Sequence, residues 1–314
     1  MRYVIIGGSA AAIGCIEGVR SVDKTGEIIL ITGETEWNYS RPLISYLLEG
    51  KTTRDKMWCR PDSFFTRNGV TVKAGVLATA LDAGDRTVRL STGERLAYDR
   101  LLAATGSRPF VPPIPGLETV ERTFCFQTLS DASALAEALR PESRVLILGA
   151  GLTGVKCAEG IRGLCAQIAI ADLAPRVLPA VLDDTAAAMV QARMEEKGVR
   201  FYLNDSAAAF RGNTARLQSG TELEFDVLVT AVGVRPNTQL VADAGGAVDR
   251  GILVDGRCAT TLPDVYAAGD CAQGYDAVSG EKRMLPLWPN AVLQGETAGI
   301  NMAGGRADYT QGIA

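Results

Sequence analysis

The chain has 314 residues, 47% hydrophobic and 22% charged, with a formal net charge of −4. That describes a globular protein long enough for two domains, and it argues against nucleic-acid or anionic-membrane partners. Histidine is absent and the seven cysteines form no C-x-x-C, which excludes Ser-His-Asp and Cys-His catalysis, histidine metal sites, a zinc ribbon and a thioredoxin-type dithiol.

The N-terminus, MRYVIIGG, breaks into glycines too early for a signal peptide. No run approaches the roughly 20 apolar residues of a membrane span. Unpatterned cysteines suit reduced thiols, so a cytoplasmic location is expected, with no membrane partner and no metal.

In chain order, Arg2–Ile6 reads as a short buried parallel strand. Gly7-Gly8-Ser9-Ala10-Ala11-Ala12 follows and opens a helix to about Val19. Glu27–Thr32 is the next strand, closed by Gly33-Glu34. This is a dinucleotide-binding plan with a degraded G-x-G-x-x-G, because Ser9 and Ala12 stand at the second and third glycine positions. A polar segment, Trp37–Cys59, contains Tyr39-Ser40-Arg41-Pro42. Alternating stretches at Val70–Lys73, Val76–Asp82, Thr87–Leu90 and Arg95–Tyr98 predict an antiparallel meander. Leu101–Gly106 is another buried strand. Pro109, Pro112, Pro113 and Pro115 then mark a linker. Ser130–Leu139 is predicted as a helix, capped by Ser130 or Asp131.

Val145–Leu148 is an apolar strand that runs directly into Gly149-Ala150-Gly151-Leu152-Thr153-Gly154, and Val155–Leu164 is helix-compatible. Gly149 makes the turn, Gly151 lets the backbone approach a pyrophosphate, and Gly154 lets helix and strand pack closely. The helix N-terminus supplies free N–H groups and a positive dipole end. The strand Gln167–Ala171 ends at Asp172, 23 residues after Gly149, where an acid meets a ribose hydroxyl pair. Asp184–Lys197 is a helix whose acidic start is Asp183-Asp184. Arg200–Leu203, Ala215–Gln218 and Glu222–Glu224 suggest a second meander. Asp226–Val232 ends at Gly233, and the last helix runs from near Pro289 to Met302. The expected fold is α/β, with two Rossmann-like dinucleotide-binding domains, each a parallel sheet plus an antiparallel meander in three layers. The second is inserted in the first: residues 1–112 and 243–314 form one, and 113–242 the other.

Four markers in order are the glycine motif Gly7–Ala12, Ala104-Thr105-Gly106, the motif Gly149–Gly154, and Thr261-Leu262-Pro263-Asp264-Val265-Tyr266-Ala267-Ala268-Gly269-Asp270. On these the chain resembles the pyridine nucleotide-disulfide oxidoreductase family. Tyr39–Ser45 and Trp288-Pro289-Asn290-Ala291 resemble its NADH:rubredoxin or ferredoxin reductase, nitrite reductase flavoprotein and NADH oxidase branch. The resemblance implies FAD on the first unit and NAD(P)H on the second. Gly7, Ser9, Ala10 and Ala12 would cradle the FAD pyrophosphate and Glu34 would meet the adenosine ribose. Thr105 and Gly106 would pass close to the cofactor, Asp270 would bind its ribityl or pyrophosphate part, and the helix start at Ala291 would face the flavin O2 edge. Arg41, Ala78 and Gly269 join the FAD set. Gly149, Gly151, Leu152, Thr153, Gly154, Asp172 and Gly233 form the nicotinamide-nucleotide set. Asp172 favours NADH over NADPH, though Arg176 lies four residues on.

Four departures shape the expected chemistry. Relatives that reduce disulfides carry cysteine near Ser40–Leu43; here there is none, so electrons should leave directly from the flavin. Many relatives have glutamate where this chain has Lys156, the candidate catalytic residue, expected at the flavin–nicotinamide edge. Tyr46 stands where relatives often place a flavin-contacting lysine. Family members also continue into a C-terminal domain that helps form a homodimer. The implied enzyme moves hydride from NADH to flavin N5, then electrons to rubredoxin, ferredoxin or another small redox protein. The alternatives are an NADH oxidase that reduces oxygen, or a cofactor-binding module of a larger complex.

Overall fold

A computed structural model describes residues 1–313. The chain folds into two compact units: Met1–Tyr39, Trp58–Ser107 and Pro236–Ala314 in one, Ser40–Met57 and Arg108–Arg235 in the other. The helices are α1 (Ala10–Val22), α2 (Ile44–Leu48), α3 (Asp62–Arg67), α4 (Leu129–Ala138), α5 (Leu152–Ile161), α6 (Asp184–Glu195), α7 (Gln239–Asp243) and α8 (Trp288–Met302). Among the described residues no helix is long and apolar enough to cross a membrane.

The first unit is built on a five-stranded parallel sheet. Its spatial order is Val70–Ala74, Glu27–Thr32, Arg2–Ile6, Arg100–Ala103, Val265–Ala267. Both faces are covered, so its inner strands read as unbroken Val/Ile/Leu runs. Successive side chains take opposite faces. Tyr3, Ile5, Ile28, Leu30 and Leu102 pack with α1 and α8 residues such as Ile13, Ile16 and Ala298. Val4, Ile6, Ile29, Ile31 and Leu101 pack on Leu81, Val88, Leu90 and Leu96 of a three-stranded antiparallel sheet. Each fully buried Ile or Leu contributes about 1.5–3 kcal/mol.

The helical layer depends on small residues. A Cβ on Gly14 would overlap Val292 O, one on Gly18 would overlap Glu296 O, one on Gly295 Ala11 O, and one on Gly299 Cys15 O. These partners advance together along both helices, so α1 and α8 run parallel and their N-termini share one end.

The second unit repeats the plan. Val199–Leu203, Gln167–Asp172, Arg144–Leu148, Val227–Thr230 and Thr123–Phe124 form a parallel sheet in that order. Leu146, Leu148, Ala171 and Leu228 pack against Phe210, Ala215 and Leu217 of an antiparallel sheet and against Phe225 just after its last strand.

Five local readings change. Val70–Ala74 pairs in parallel with Glu27–Thr32 and does not belong to the meander. Val199–Leu203 likewise pairs in parallel with Gln167–Asp172. Both are edge strands and half-exposed, so they mimic the alternation of a one-sided sheet. The second meander instead uses Ala207–Arg211, whose Ala-Ala-Ala has no β-branched signal. The α4 cap is Thr128, whose Oγ1 accepts from Asp131 N–H at 3.0 Å while Asp131 Oδ2 accepts from Thr128 N–H at 2.8 Å. Asp131 is thus the third helical residue of a capping box and not the cap itself. α5 begins at Leu152, three residues earlier than its apolar pattern suggests, because Val155 N–H already bonds Gly151 O.

Candidate functional site

In the first unit the chain turns at Gly7, with φ +119°, where a Cβ would overlap Ala104 O. Its N–H bonds Ile31 O at 2.7 Å, which fixes the turn to the neighbouring strand. Ser9 is the residue before α1. Its carbonyl accepts from Ala12 and Ile13, and the N–H groups of Ala10 and Ala11, in the first turn, have no intrahelical acceptor. Gly269 lies against this start: a Cβ there would stand 3.3 Å from Ala11 Cβ and 3.6 Å from Ala291 Cβ. The structure therefore brings Gly7, Ser9, Ala10, Ala12, Gly269, Asp270 and Ala291 to one end of the unit. The two parallel helices point their positive dipole ends there, an arrangement that favours bound anions. Ala291 donates its own N–H to Leu287 O at 3.0 Å, so the first-turn N–H groups without an intrahelical acceptor are those of Trp288 and Asn290.

Three residues without a sequence signal hold this end together. Gln294, 1% exposed, accepts from Gly269 N–H through Oε1 at 2.7 Å. Asn237 Nδ2 donates to Thr105 O at 2.9 Å, Thr105 Oγ1 donates to Asn237 O at 2.6 Å, and Asn237 N–H donates to Gly106 O at 2.9 Å. Ser107 Oγ donates to Asp270 Oδ2 at 3.0 Å. On the other side of Gly7, Tyr39 OH donates to Glu34 Oε2 at 2.7 Å and Gly75 N–H reaches Glu34 O at 3.4 Å. Ala78 follows that loop and pairs with Leu90.

In the second unit Gly149 turns with φ +110°, its N–H on Ala171 O at 2.8 Å. A Cβ on Gly154 would overlap Gly149 O, so the helix can start this close to the strand only with glycine there. A Cβ on Gly151 would meet open space. The turn is sterically clear at Gly151. The N–H groups of Leu152, Thr153 and Gly154 are the unpaired first turn of α5. Asp172 closes the loop from the next strand: Oδ2 accepts from Ala150 N–H at 2.5 Å and Oδ1 from Ala174 N–H at 2.8 Å. Arg176 is committed elsewhere, to Leu182 O at 3.2 Å and Asp184 Oδ1 at 3.0 Å. Gly233 sits beyond the strand beside Gly149, and its carbonyl accepts from Phe110 N–H at 2.9 Å.

Lys156 follows Gly154 by two residues on α5, and Arg41 also belongs to the second unit. Lys156 pairs with Glu159, holding that carboxyl below the usual range, and lies 4.2 Å from the centroid of the Tyr46 ring. Arg41 Nη1 donates to Gln127 O at 3.1 Å. Burial pushes the thiols of Cys15, Cys59, Cys157, Cys258 and Cys271 up, so they are protonated at neutral pH.

Two glycine cradles at two helix starts, each with an acid on the neighbouring element, define a protein that handles two dinucleotides. The chain belongs to the pyridine nucleotide-disulphide oxidoreductase family, whose model matches residues 1–295. It is accordingly a FAD-dependent NAD(P)H oxidoreductase, and the open Gly151 approach and the convergent helix starts fit those groups. It is 33% identical to the epsilon subunit of NADH-dependent phenylglyoxylate dehydrogenase from Aromatoleum evansii, covering 99% of this chain and 75% of that protein. It is 29% identical to a rubredoxin-NAD(+) reductase of Pseudomonas putida, covering 97% and 80%. The reductase in a covalent putidaredoxin reductase–putidaredoxin complex superposes with a TM-score of 0.89 at 26% identity, over 97% of this chain and 76% of that one.

Proposed function

We propose that this chain oxidises NADH and passes the electrons from FAD directly to a small redox protein, with no protein dithiol between. The observation that carries the reading is the pair of separate cradles, one in each unit, with a carboxylate set beside each. Bound FAD supplies the chemistry of accepting a hydride at N5 and releasing electrons.

The chain's own residues bind and orient. Gly7, Ser9, Ala10 and Ala12 take the FAD pyrophosphate, with the N–H groups of Ala10 and Ala11 as donors. Glu34, oriented by Tyr39, takes the adenosine ribose, with Ala78 lining the adjoining wall. Asp270, oriented by Ser107, takes the ribityl or pyrophosphate portion, while Asn237 holds Thr105 and Gly106 in line. The α8 start places its dipole where a reduced flavin carries negative charge. In the second unit Gly149, Gly151, Leu152, Thr153 and Gly154 take the NADH pyrophosphate, with Gly233 beside them, and Asp172 takes the ribose hydroxyls. Asp172 would repel a 2′-phosphate, and Arg176 is already engaged by loop carbonyls and Asp184.

Direct exit of electrons is supported by the cysteine-free stretch Ser40–Leu43 and by the protonated state of Cys59. A small redox protein as acceptor is supported by the rubredoxin-NAD(+) reductase among the relatives. The test is to reduce the purified holoprotein anaerobically with NADH and mix it separately with rubredoxin, ferredoxin and oxygen. Fast reoxidation by either iron-sulfur protein and slow reoxidation by oxygen is expected. Fast reoxidation by oxygen alone would make it an oxidase.

A further inference from the structure

The segment Ser40–Met57 lies in the chain between two strands of the first unit, yet it folds with the second. Its attachments are specific. α2 lies so close on α5 that a Cβ on Gly160 would stand 3.0 Å from Ser45 O and 3.5 Å from Leu48 Cβ. Arg54 Nη2 donates to Ser133 Oγ at 2.9 Å, and Arg41 reaches Gln127 O. Between these points sits a charge-balanced cluster around Tyr46. Lys156 of α5 lies over the ring and pairs with Glu159. Lys51 lies 5.8 Å from the same ring centroid and pairs with Glu49 at 2.8 Å. Two lysines and two glutamates cancel. The Lys156 side chain is only 26% exposed.

An ammonium held between a carboxylate and a ring face is not a free charge. Its energy depends on both partners staying in place, and the ring belongs to the inserted segment. Lys156 also lies one helical turn beyond Leu152, on the same helix whose first turn carries the unpaired N–H groups.

We propose that Lys156 is a positioning residue: with Glu159 and Tyr46 it locks segment 40–57 onto α5 and so pre-organises the helix start that takes the NADH pyrophosphate. This rests on the reading of the second cradle as the NADH site. Binding and segment order are then linked in both directions, because a lock that favours the binding-competent helix must itself be favoured by the nucleotide, by the same factor.

Hydrogen exchange over residues 44–48, NADH affinity by calorimetry and the flavin midpoint potential are measured for the holoprotein and for Lys156→Met, Lys156→Arg, Tyr46→Leu and Tyr46→Phe. Lys156→Met and Tyr46→Leu should each speed exchange roughly fivefold and weaken NADH by a similar factor, as expected for loss of a part-buried cation–π pair. Lys156→Arg and Tyr46→Phe keep a cation and a ring and should behave as the parent. NADH should slow exchange over 44–48 in the parent. The flavin potential should be the same throughout. Unchanged exchange in Lys156→Met, or a potential shift in Lys156→Met that Tyr46→Leu does not share, would overturn the proposal in favour of a charge acting on the flavin. A parent protein that binds no NADH would refute the NADH-site reading itself; intact binding with no coupling would refute this proposal alone.

Discussion

Asp172→Ser probes a carboxylate with two tasks. Its oxygens accept from Ala150 and Ala174 N–H, tying the glycine turn to the strand beside it. Hydrogen bonds to a charged group contribute about 1.5–3 kcal/mol each, and the half-exposed position argues for the lower end. Losing two and regaining one neutral bond through the serine leaves a deficit of about 2 kcal/mol. For a domain of this size that lowers Tm by roughly 4–8 °C. The same carboxylate is assigned to the ribose hydroxyls, so NADH loses a charged acceptor worth another 1.5–3 kcal/mol, or about 10–150-fold in kcat/KM. NADPH loses a repulsion instead. The NADH-over-NADPH preference should therefore fall by at least about tenfold, mostly through NADH. Steady-state kcat/KM for both nucleotides with a dye acceptor, read beside a melting curve, separates the tasks. A fall in Tm with the nucleotide preference unchanged would refute the reasoning and leave Asp172 as a turn residue only.

Gly151 and Gly154 should separate binding from folding. Gly151→Ala adds a methyl to open space, so calorimetric stability should stay within about 1 kcal/mol while NADH affinity drops; Gly154→Ala forces a methyl onto Gly149 O and should cost about 1–3 kcal/mol of stability. Tyr98 provides a pH test. Its hydroxyl is buried without a hydrogen-bond partner, and burial pushes it from 10.0 to about 12. A phenol raised in the folded state contributes stability that is present below pH 10 and lost as pH rises towards 12. Urea midpoints should fall more steeply above pH 10 for the parent than for Tyr98→Phe; parallel curves would show that Tyr98 does not report the burial.

Much of this fold is legible in the chain because buried parallel strands write themselves as apolar β-branched runs. Arg2–Ile6 and Val145–Leu148 also end at glycines whose spacing has a steric meaning. Gly154 is legible since no other residue fits against Gly149 O. Asp172 is legible from its distance down the chain. Its grip on Ala150 and Ala174 is not, because that depends on the path of a loop. Edge strands such as Val70–Ala74 mislead because exposure on one side imitates an antiparallel strand. Short helices such as α2 and α3 complete too few turns to show a period. Asn237, Ser107 and Gln294 act through partners 132, 163 and 25 residues away, and nothing local marks them. The spacing Gly14–Gly18 and Gly295–Gly299 was a usable signal, since glycines four apart line one helix face. The membership of segment 40–57 in the second unit had no local signal: it follows from Tyr46 meeting Lys156 and Ser45 meeting Gly160.

The claim that electrons leave the flavin without a protein dithiol is tested most directly by counting reducing equivalents. The FAD-loaded protein is titrated anaerobically with NADH and the flavin band is followed to completion. A dithiol–disulfide couple holds two electrons of its own. The account predicts a single end point at about one NADH per FAD, with no charge-transfer band from a neighbouring thiolate. An end point at about two NADH per FAD would place a second two-electron centre in the chain and contradict it.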